Sequence, residues 1–513
     1  MQPAVFTSSA AAALLSTFIL CGTALSTETL QSNPCKILAD TRLSDHLLYP
    51  NETEYNESIS TYYSGTVQAV KPWCILQPQT TSEVSLAIKA LSSAYGGDWA
   101  VAIRGGGHAV FPGANNVQSG VVFDLSLMNS TVFQACSTQR KPCAASSPNG
   151  AITSVGPGAR WGPVYEVVEQ HGMGVAGGRE GHVGVSGLLL GGGFSYYAGT
   201  RGLACDGVVN YEVVLASGSV INANPKSNAD LFKALKGGSN NLGIVTRYDL
   251  DTFPVPGFYG GITAFDYSQK DALVAQLIRM IDINDKNPND AEFISFSWSP
   301  ATGDPTLSLI SASVDGSPNS TSFAPLNNMT ALFNSRGPTT YGTLATEIES
   351  ETGQRNVWYT LSFHNTLDMM NKAVEVFEDL TKDLASQAAG SFNMIFVFQP
   401  LSKQFASRSA GNVLGLDKTL TTNSILLQTE ALMDTLEIQN LLSAKLANAT
   451  AVIETYAKAT NQYTPWIYLN YANPSQDPIG SYGVANVNLL KRASAKYDPK
   501  GFFQKRVSGG FKL

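Results

Sequence analysis

The sequence predicts an α+β chain of more than one domain. Three features carry that reading. Its 513 residues exceed what one compact core usually holds. Short strands rich in β-branched residues alternate with stretches of helical period. Through the middle of the chain, strands and helices occur in similar proportion, which suggests a sheet covered by helices. Apolar residues make up 43% and charged residues 14%, a balance that excludes disorder. A net charge of −7 offers no basic footprint for nucleic acid.

In chain order, the opening MQPAVFTSSAAAALLSTFILCGTALSTETL has an apolar run from Ala10 to Leu20 and small residues ending at Ala24-Leu25-Ser26. It reads as a secretory signal peptide over 1–26, although no Lys or Arg precedes the run. The run is shorter than the roughly 20 residues a membrane span needs, and no later stretch reaches that length. Secretion implies disulfides and glycans. Five cysteines follow Cys21, so at least one is free. Cys136 and Cys143 flank STQRKP and would staple it. Cys35 and Cys74 would tie an N-terminal arm to the first strand. Cys205, in GLACDG, is the expected free, buried thiol. Sequence alone does not fix this connectivity. Sequons at Asn51, Asn56, Asn129, Asn319, Asn328 and Asn448 support a glycosylated, extracellular surface.

Residues 27–68 are polar and read as that arm. CILQP is a short strand. In TTSEVSLAIKALSSAYG, Val84, Ile88 and Leu91 recur at helical spacing, with Thr80, Thr81 or Ser82 as cap and Glu83 in the first turn. WAVAIRGGGH is a strand ending in a glycine turn, and VVFDLSLMN is another strand. Residues 150–250 are mixed, glycine-rich and β-branched, with a short helix in KSNADLFKALKGGS. From 259 to about 465, FISFSWSP, LSLISASVDG and NMIFVFQP read as strands. SQKDALVAQLIRMIDI, NKAVEVFEDLTKDLASQ and the long stretch from ALMDTLEIQ to ETYAKAT read as amphipathic helices. The final segment carries WIYLNYANP, GSYG and YDPKGFF.

RGGGH, residues 104–108, is the first stretch that points to chemistry. Glycines let a backbone approach a ligand closely, and successive N–H groups in such a turn cradle anionic oxygens. It is neither G-x-G-x-x-G opening a helix nor a P-loop. Alone it is a structural turn. Two further glycine-rich stretches change this: GREGHVGVSGLLLGGGFSYYAGTRGLACDG at 178–207 and GGSNNLGIVT at 237–246. Three such stretches separated by strands suggest one extended ligand lying across a sheet.

With these motifs in this order, and with LQPQTTSEVSLAIKAL, GLACD and YLNYAN around them, the chain resembles the berberine bridge enzyme-like FAD-linked oxidoreductases. These belong to the vanillyl-alcohol oxidase superfamily with its PCMH-type FAD-binding domain, here in the secreted fungal form. The resemblance covers nearly all of the mature chain. It implies a two-part FAD-binding domain over 69–256, a substrate domain over 257–465 with an antiparallel sheet covered by helices, and a segment 466–513 returning to the first domain. It implies that Arg104, Gly105, Gly106, Gly107, Gly184, Ser186 and Gly187 hold the cofactor. Gly243, Ile244 and Val245 would meet its adenine end, and Asn470 its ring.

The family's histidine, bonded to the 8α-methyl of FAD, is His108. Many relatives carry a second tether in G-x-C-P-x-V-G. Here Glu180 replaces that cysteine and Gly181 the proline, which implies a single link. Val183 occupies the position that gates oxygen, and its small size resembles oxidases, which give H2O2 from O2. Phe194 stands where a tyrosine is usual. Tyr471 and Tyr468 are the candidate bases, and Gln399 lies on the strand that faces substrate. A phenol would need a cation or hydrogen-bond network to act as a base. The expected function is therefore a secreted, monomeric, metal-free oxidase of an alcohol or amine of secondary metabolism. Alternatives are a carbohydrate oxidase, which the missing cysteine disfavours, and a non-catalytic flavoprotein, which the intact motifs disfavour.

Overall fold

A computed structural model describes residues 33–94, 96–136, 149–387, 390–409 and 411–513. The expected signal peptide, Cys21 and Cys143 lie outside them. Among the described residues no helix is long and apolar enough to cross a membrane.

The helix Thr81–Ser92 starts where its sequence says it should. Thr80 and Glu83 close a capping box: the Glu83 N–H donates to Thr80 Oγ1 at 3.3 Å and the Thr80 N–H to Glu83 Oε2 at 3.2 Å. Its Val84, Ile88 and Leu91 stripe is buried. A small sheet orders its strands Leu47–Leu48, Cys74–Leu76, Gly120–Asp124 and Ala100–Arg104. The last three run parallel, so Ala100–Arg104 delivers the glycine turn at its C-terminal end. Beside it, five strands form an antiparallel sheet in the order Thr131–Ala135, Ala151–Val155, Ile244–Asp251, Val208–Val214, Val220–Ala223.

The residues read as an arm are woven into this part. Tyr55, Ile59, Tyr62 and Val67 form a core with Ile75, Ala102 and Val122. Cys35 is bonded to Cys74. Cys136 is also disulfide-bonded. Cys205 is free and buried, and burial pushes its thiol well above the ordinary range. All six sequon asparagines are exposed.

The largest sheet is antiparallel and has nine strands. Its centre runs Asp290–Trp298, Phe392–Leu401, Ser424–Met433, Arg355–His364. Successive side chains of a strand point to opposite faces. Ile294, Phe296 and Trp298 therefore join Met394, Phe396 and Phe398 in a core beneath the helices Lys270–Asp282, Leu367–Gln387 and Leu436–Ala459. The intervening Phe293, Ser295, Ser297, Ile395, Val397 and Gln399 face a cavity on the other side. One difference from the sequence reading concerns the last helix. Ala431, Leu432 and Met433 are strand residues, paired with Val357, Asn356 and Arg355. The helix begins at Leu436, capped by Thr435, whose Oγ1 accepts from the Ile438 N–H at 3.2 Å. Pairing on both sides of this strand outweighs the local helical pattern.

The glycine loops meet backbone to backbone. A Cβ on Gly106 would lie 2.4 Å from Gly184 Cα, and a Cβ on Gly184 would lie 2.5 Å from Gly106 N. Neither position accepts a side chain without displacing the other loop. Gly187, in the helix Val185–Leu190, has open space around its missing Cβ.

Two stability predictions follow from this packing. The Cys35–Cys74 bridge spans 39 residues of sequence. Replacing both cysteines by serine should lower unfolding stability by roughly 3–4 kcal/mol in the chain-entropy model, read as a lower urea midpoint. In flavin-free protein, Gly184→Ala should cost roughly 1–3 kcal/mol through overpacking, whereas Gly187→Ala should be neutral or gain roughly 0.5–1 kcal/mol. Equal melting temperatures for the two alanine variants would refute the loop contact.

Candidate active site

A cavity of about 540 Å³ runs between the glycine loops and the nine-stranded sheet. Gly105, Gly106, Gly107, His108, Val183, Gly184, Ser186 and Gly187 line one stretch of it. Gly243, Ile244 and Val245 line it as well, beside Ser239, Asn240 and Phe511. Gln399, Tyr468, Asn470 and Tyr471 complete the set expected from sequence.

Arg104 alone stands behind the loop. Its guanidinium turns back to donate to Ser58 O at 2.7 Å and to Thr61 Oγ1, lies 3.4 Å from Asp124 Oδ2, and stacks 4.0 Å over Tyr62. It is buried with Asp124, and the pair anchors the base of the loop. Removing one partner of such a pair typically costs about 3–5 kcal/mol.

The donor set fits FAD. The loop glycines leave room for backbone to approach a diphosphate. Both polar atoms of the Asn115 side chain are buried in the cavity wall without a partner, which a polar ligand would satisfy. Gly187 opens into the same space. Among the described residues no cluster of three or more His, Cys, Asp or Glu could hold a metal ion.

His108 stacks on Tyr63, with ring centroids 3.9 Å apart. Burial, with Arg160 and His182 nearby, lowers its pKa to about 3. The imidazole is therefore neutral and keeps a lone pair. Glu180 Oε2 lies 3.9 Å from His108 Nε2, which is not an ion pair when the histidine is neutral. Burial raises Glu180 to about 7, against the opposing effect of the Ser350 N–H. Glu430, on the strand Ser424–Met433, is raised to about 8 by burial and then by Glu180. Its Oε2 accepts from Gln428 Nε2 at 2.6 Å.

On the neighbouring wall Arg179 Nη2 donates to Gln399 Oε1 and to Tyr471 Oη, the latter at 2.9 Å. Phe293 and Phe194 lie 4.5 and 5.7 Å from the guanidinium. Arg179 thus places a guanidinium directly against the Tyr471 phenol. Gln399 sits on a central strand, between Asp290–Trp298 and Ser424–Met433, so its polarity has no edge position to explain it. Tyr468 is arranged differently. Its oxygen accepts from the N–H groups of Gly193 and Phe194 at 3.1 and 3.2 Å and from Asn470 Nδ2 at 3.0 Å. Burial pushes its phenol up, so it stays protonated.

Arg179, Glu430, Tyr63 and Trp358 were not singled out from sequence. Arg179 had a signal, an arginine followed by a glutamate at the start of a glycine-rich stretch. Glu430 had one too, a carboxylate in the apolar run SILLQTEALM. Tyr63 and Trp358 had none.

Residues 72–224 match the FAD binding domain family. Over most of its length the chain is similar to the FAD-dependent monooxygenase sdcF of Emericella nidulans, 35% identical over 94% of this chain and 98% of that one. In fold it is similar to glucooligosaccharide oxidase from Acremonium strictum, with a TM-score of 0.71 at 19% identity over 93% of this chain and 98% of that one. That enzyme's FAD is 6-S-cysteinyl, 8α-N1-histidyl. It is also similar to Physcomitrella patens BBE-like 1, with a TM-score of 0.67 at 19% identity over 92% of this chain and 97% of that one. With glycine loops that fit FAD and a match along nearly the whole chain, the protein belongs to the family of FAD-dependent oxidoreductases that includes sdcF, and it has the fold of the berberine bridge enzyme-like proteins.

Proposed function

We propose that the chain is a secreted oxidase of a small alcohol or amine, with its flavin bound covalently through His108 alone. The observation that carries this reading is the Arg179–Tyr471–Gln399 cluster in the same cavity as a neutral His108. Residues 69–256 and 466–513 would hold the cofactor and 257–465 the substrate. Secretion is supported by the Cys35–Cys74 bridge and the exposed sequons.

FAD, when bound, supplies the acceptor for an electron pair and passes it to O2. The substrate loses a C–H hydrogen with its electron pair and an O–H or N–H proton, and becomes a carbonyl or imine while O2 becomes H2O2. Tyr471 takes the proton. A phenol base needs a cation or hydrogen-bond network, and Arg179 Nη2 lies 2.9 Å from this oxygen. Gln399 is buried and its Nε2 has no partner, so the amide donates to the substrate oxygen. Tyr468 stays protonated and fixes the 193–194 backbone and Asn470. Val183 leaves space for O2. The lone pair of His108 is available for the bond to the 8α carbon. Glu180 stands where a second tether would attach, and a carboxyl cannot form a thioether.

The name of the Emericella nidulans relative favours a second reading, a monooxygenase that leaves one oxygen atom in its product. A peroxide screen over aromatic alcohols, amines and oligosaccharides under ¹⁸O2 separates the two. The oxidase gives one H2O2 per product and no ¹⁸O in it. Label in the product overturns the oxidase reading, and turnover of oligosaccharides alone overturns the substrate class.

Acid precipitation should leave flavin on the wild-type protein and release it from His108→Ala. Release from both would refute the tether. Tyr471→Phe should slow flavin reduction at least ~10-fold, since a positioned base contributes about that or more. An unchanged rate would rule Tyr471 out as the base.

A further inference from the structure

The unpartnered polar atoms around Arg179 share one property. Arg179 uses Nη2 on Gln399 and Tyr471, and neither Nε nor Nη1 has an acceptor among the described residues. Arginine only donates, so it holds the Gln399 amide with its oxygen inward and its NH2 outward. That Nε2 is buried without a partner, in a side chain only 1% exposed. The indole Nε1 of Trp358, on the same cavity wall, is also buried without a partner. All three are donors, and each awaits an acceptor.

Charge points the same way. Arg179 forms no ion pair among the described residues, and its neighbours are phenol, amide and aromatic rings. The carboxyls that share the cavity, Glu180 and Glu430, are pushed towards their neutral forms by burial. The fixed charge left on this wall is positive. Nε and Nη1 lie on opposite sides of the guanidinium, so each offers a carboxylate oxygen one charge-assisted hydrogen bond.

We infer that the substrate is a carboxylic acid with an apolar body, one carboxylate oxygen seated on a free N–H of Arg179 and the other on Gln399 Nε2. Phe293, Ile395 and Val397 line the space for the body. The reacting hydroxyl or amine then lies towards Tyr471, which shares the guanidinium from its other side. This deepens the proposed function and rests on its placing of Tyr471 at the reacting group.

The test is binding, not turnover. FAD-loaded protein is titrated by calorimetry with benzoate, with its uncharged isostere benzamide, and with benzylammonium. Benzoate should bind at least ~10-fold tighter than benzamide, as expected for a charge-assisted hydrogen bond in a buried wall. Arg179→Met should abolish that preference, and Arg179→Lys, a point charge without the fork, should retain only part of it. Equal affinities for benzoate and benzamide in the wild-type protein overturn the inference without any variant. So does a preference for benzylammonium, which would place recognition on Glu180 and Glu430. The peroxide screen is independent. Turnover of neutral alcohols without benzoate binding removes the acid and leaves the oxidase. Benzoate binding without peroxide leaves the anion site and removes the oxidase.

Discussion

The site depends on two glycines that touch. Gly106 and Gly184 approach so closely that a methyl group on either would overlap the other's backbone. This contact joins a loop that ends the strand Ala100–Arg104 to a loop nearly 80 residues later in sequence. On one side Arg104 and Asp124 fix the first loop to the segment around Ser58. On the other, the Trp161 and Gly162 N–H groups donate to Val183 and Gly181 oxygens at 3.1 and 3.0 Å and fix the second. Only with both held does His108 come within 3.9 Å of Glu180. Rigid scaffolding behind the loops is what allows irregular backbone to present chemistry accurately.

A second constraint acts from the opposite wall. Each central strand of the large sheet must satisfy two environments with one alternating sequence. Phe296, Phe398 and Leu427 belong to the helix-covered core, while Ser295, Gln399 and Gln428 face the cavity. A slip of one residue would exchange the two sets. The aromatic core residues therefore do more than stabilise: they lock the register that aims Gln399 and Glu430 inward. Glu430 can be tolerated there because its carboxyl is shifted towards the neutral form and hydrogen-bonded to Gln428.

Legibility from the sequence followed the reach of each signal. Local signals read correctly: the Thr80 cap, the Val84–Ile88–Leu91 stripe, the period-two strands and the glycine turn. Gln399 was visible because a polar residue between aromatics needs a cause. What stayed hidden depends on partners distant in sequence. Tyr63 lies in a polar segment, and the rings that pack on it, His108 and Trp358, come from far along the chain. Trp358 looks like any apolar strand residue until its neighbour across the sheet is known to be Glu430. The boundary at Ala431–Leu436 failed for the same reason: its helical pattern is real, but two flanking strands claim the first three residues. Thr435 marked the helix start, since a threonine followed by a helical run is a cap signal in its own right.

Arg179 and Glu430 share a cavity without neutralising each other, and that separation has a physical consequence. Had a carboxylate reached Arg179, the pair would have satisfied both groups and left neither for a ligand. Instead the guanidinium is stabilised by weaker means: the faces of Phe293 and Phe194, one phenol oxygen and one amide oxygen. These partners lower the cost of burying the cation without cancelling its charge. They also raise the value of the same charge to an incoming acceptor, because a cation in a low-dielectric wall interacts more strongly than one in water. The phenol gains from this arrangement as well. Tyr471 shares the Arg179 guanidinium only with neutral groups. Placing an acidic residue at Phe293, 4.5 Å from the guanidinium, would draw Arg179 into an ion pair and cancel the charge that the wall now keeps free.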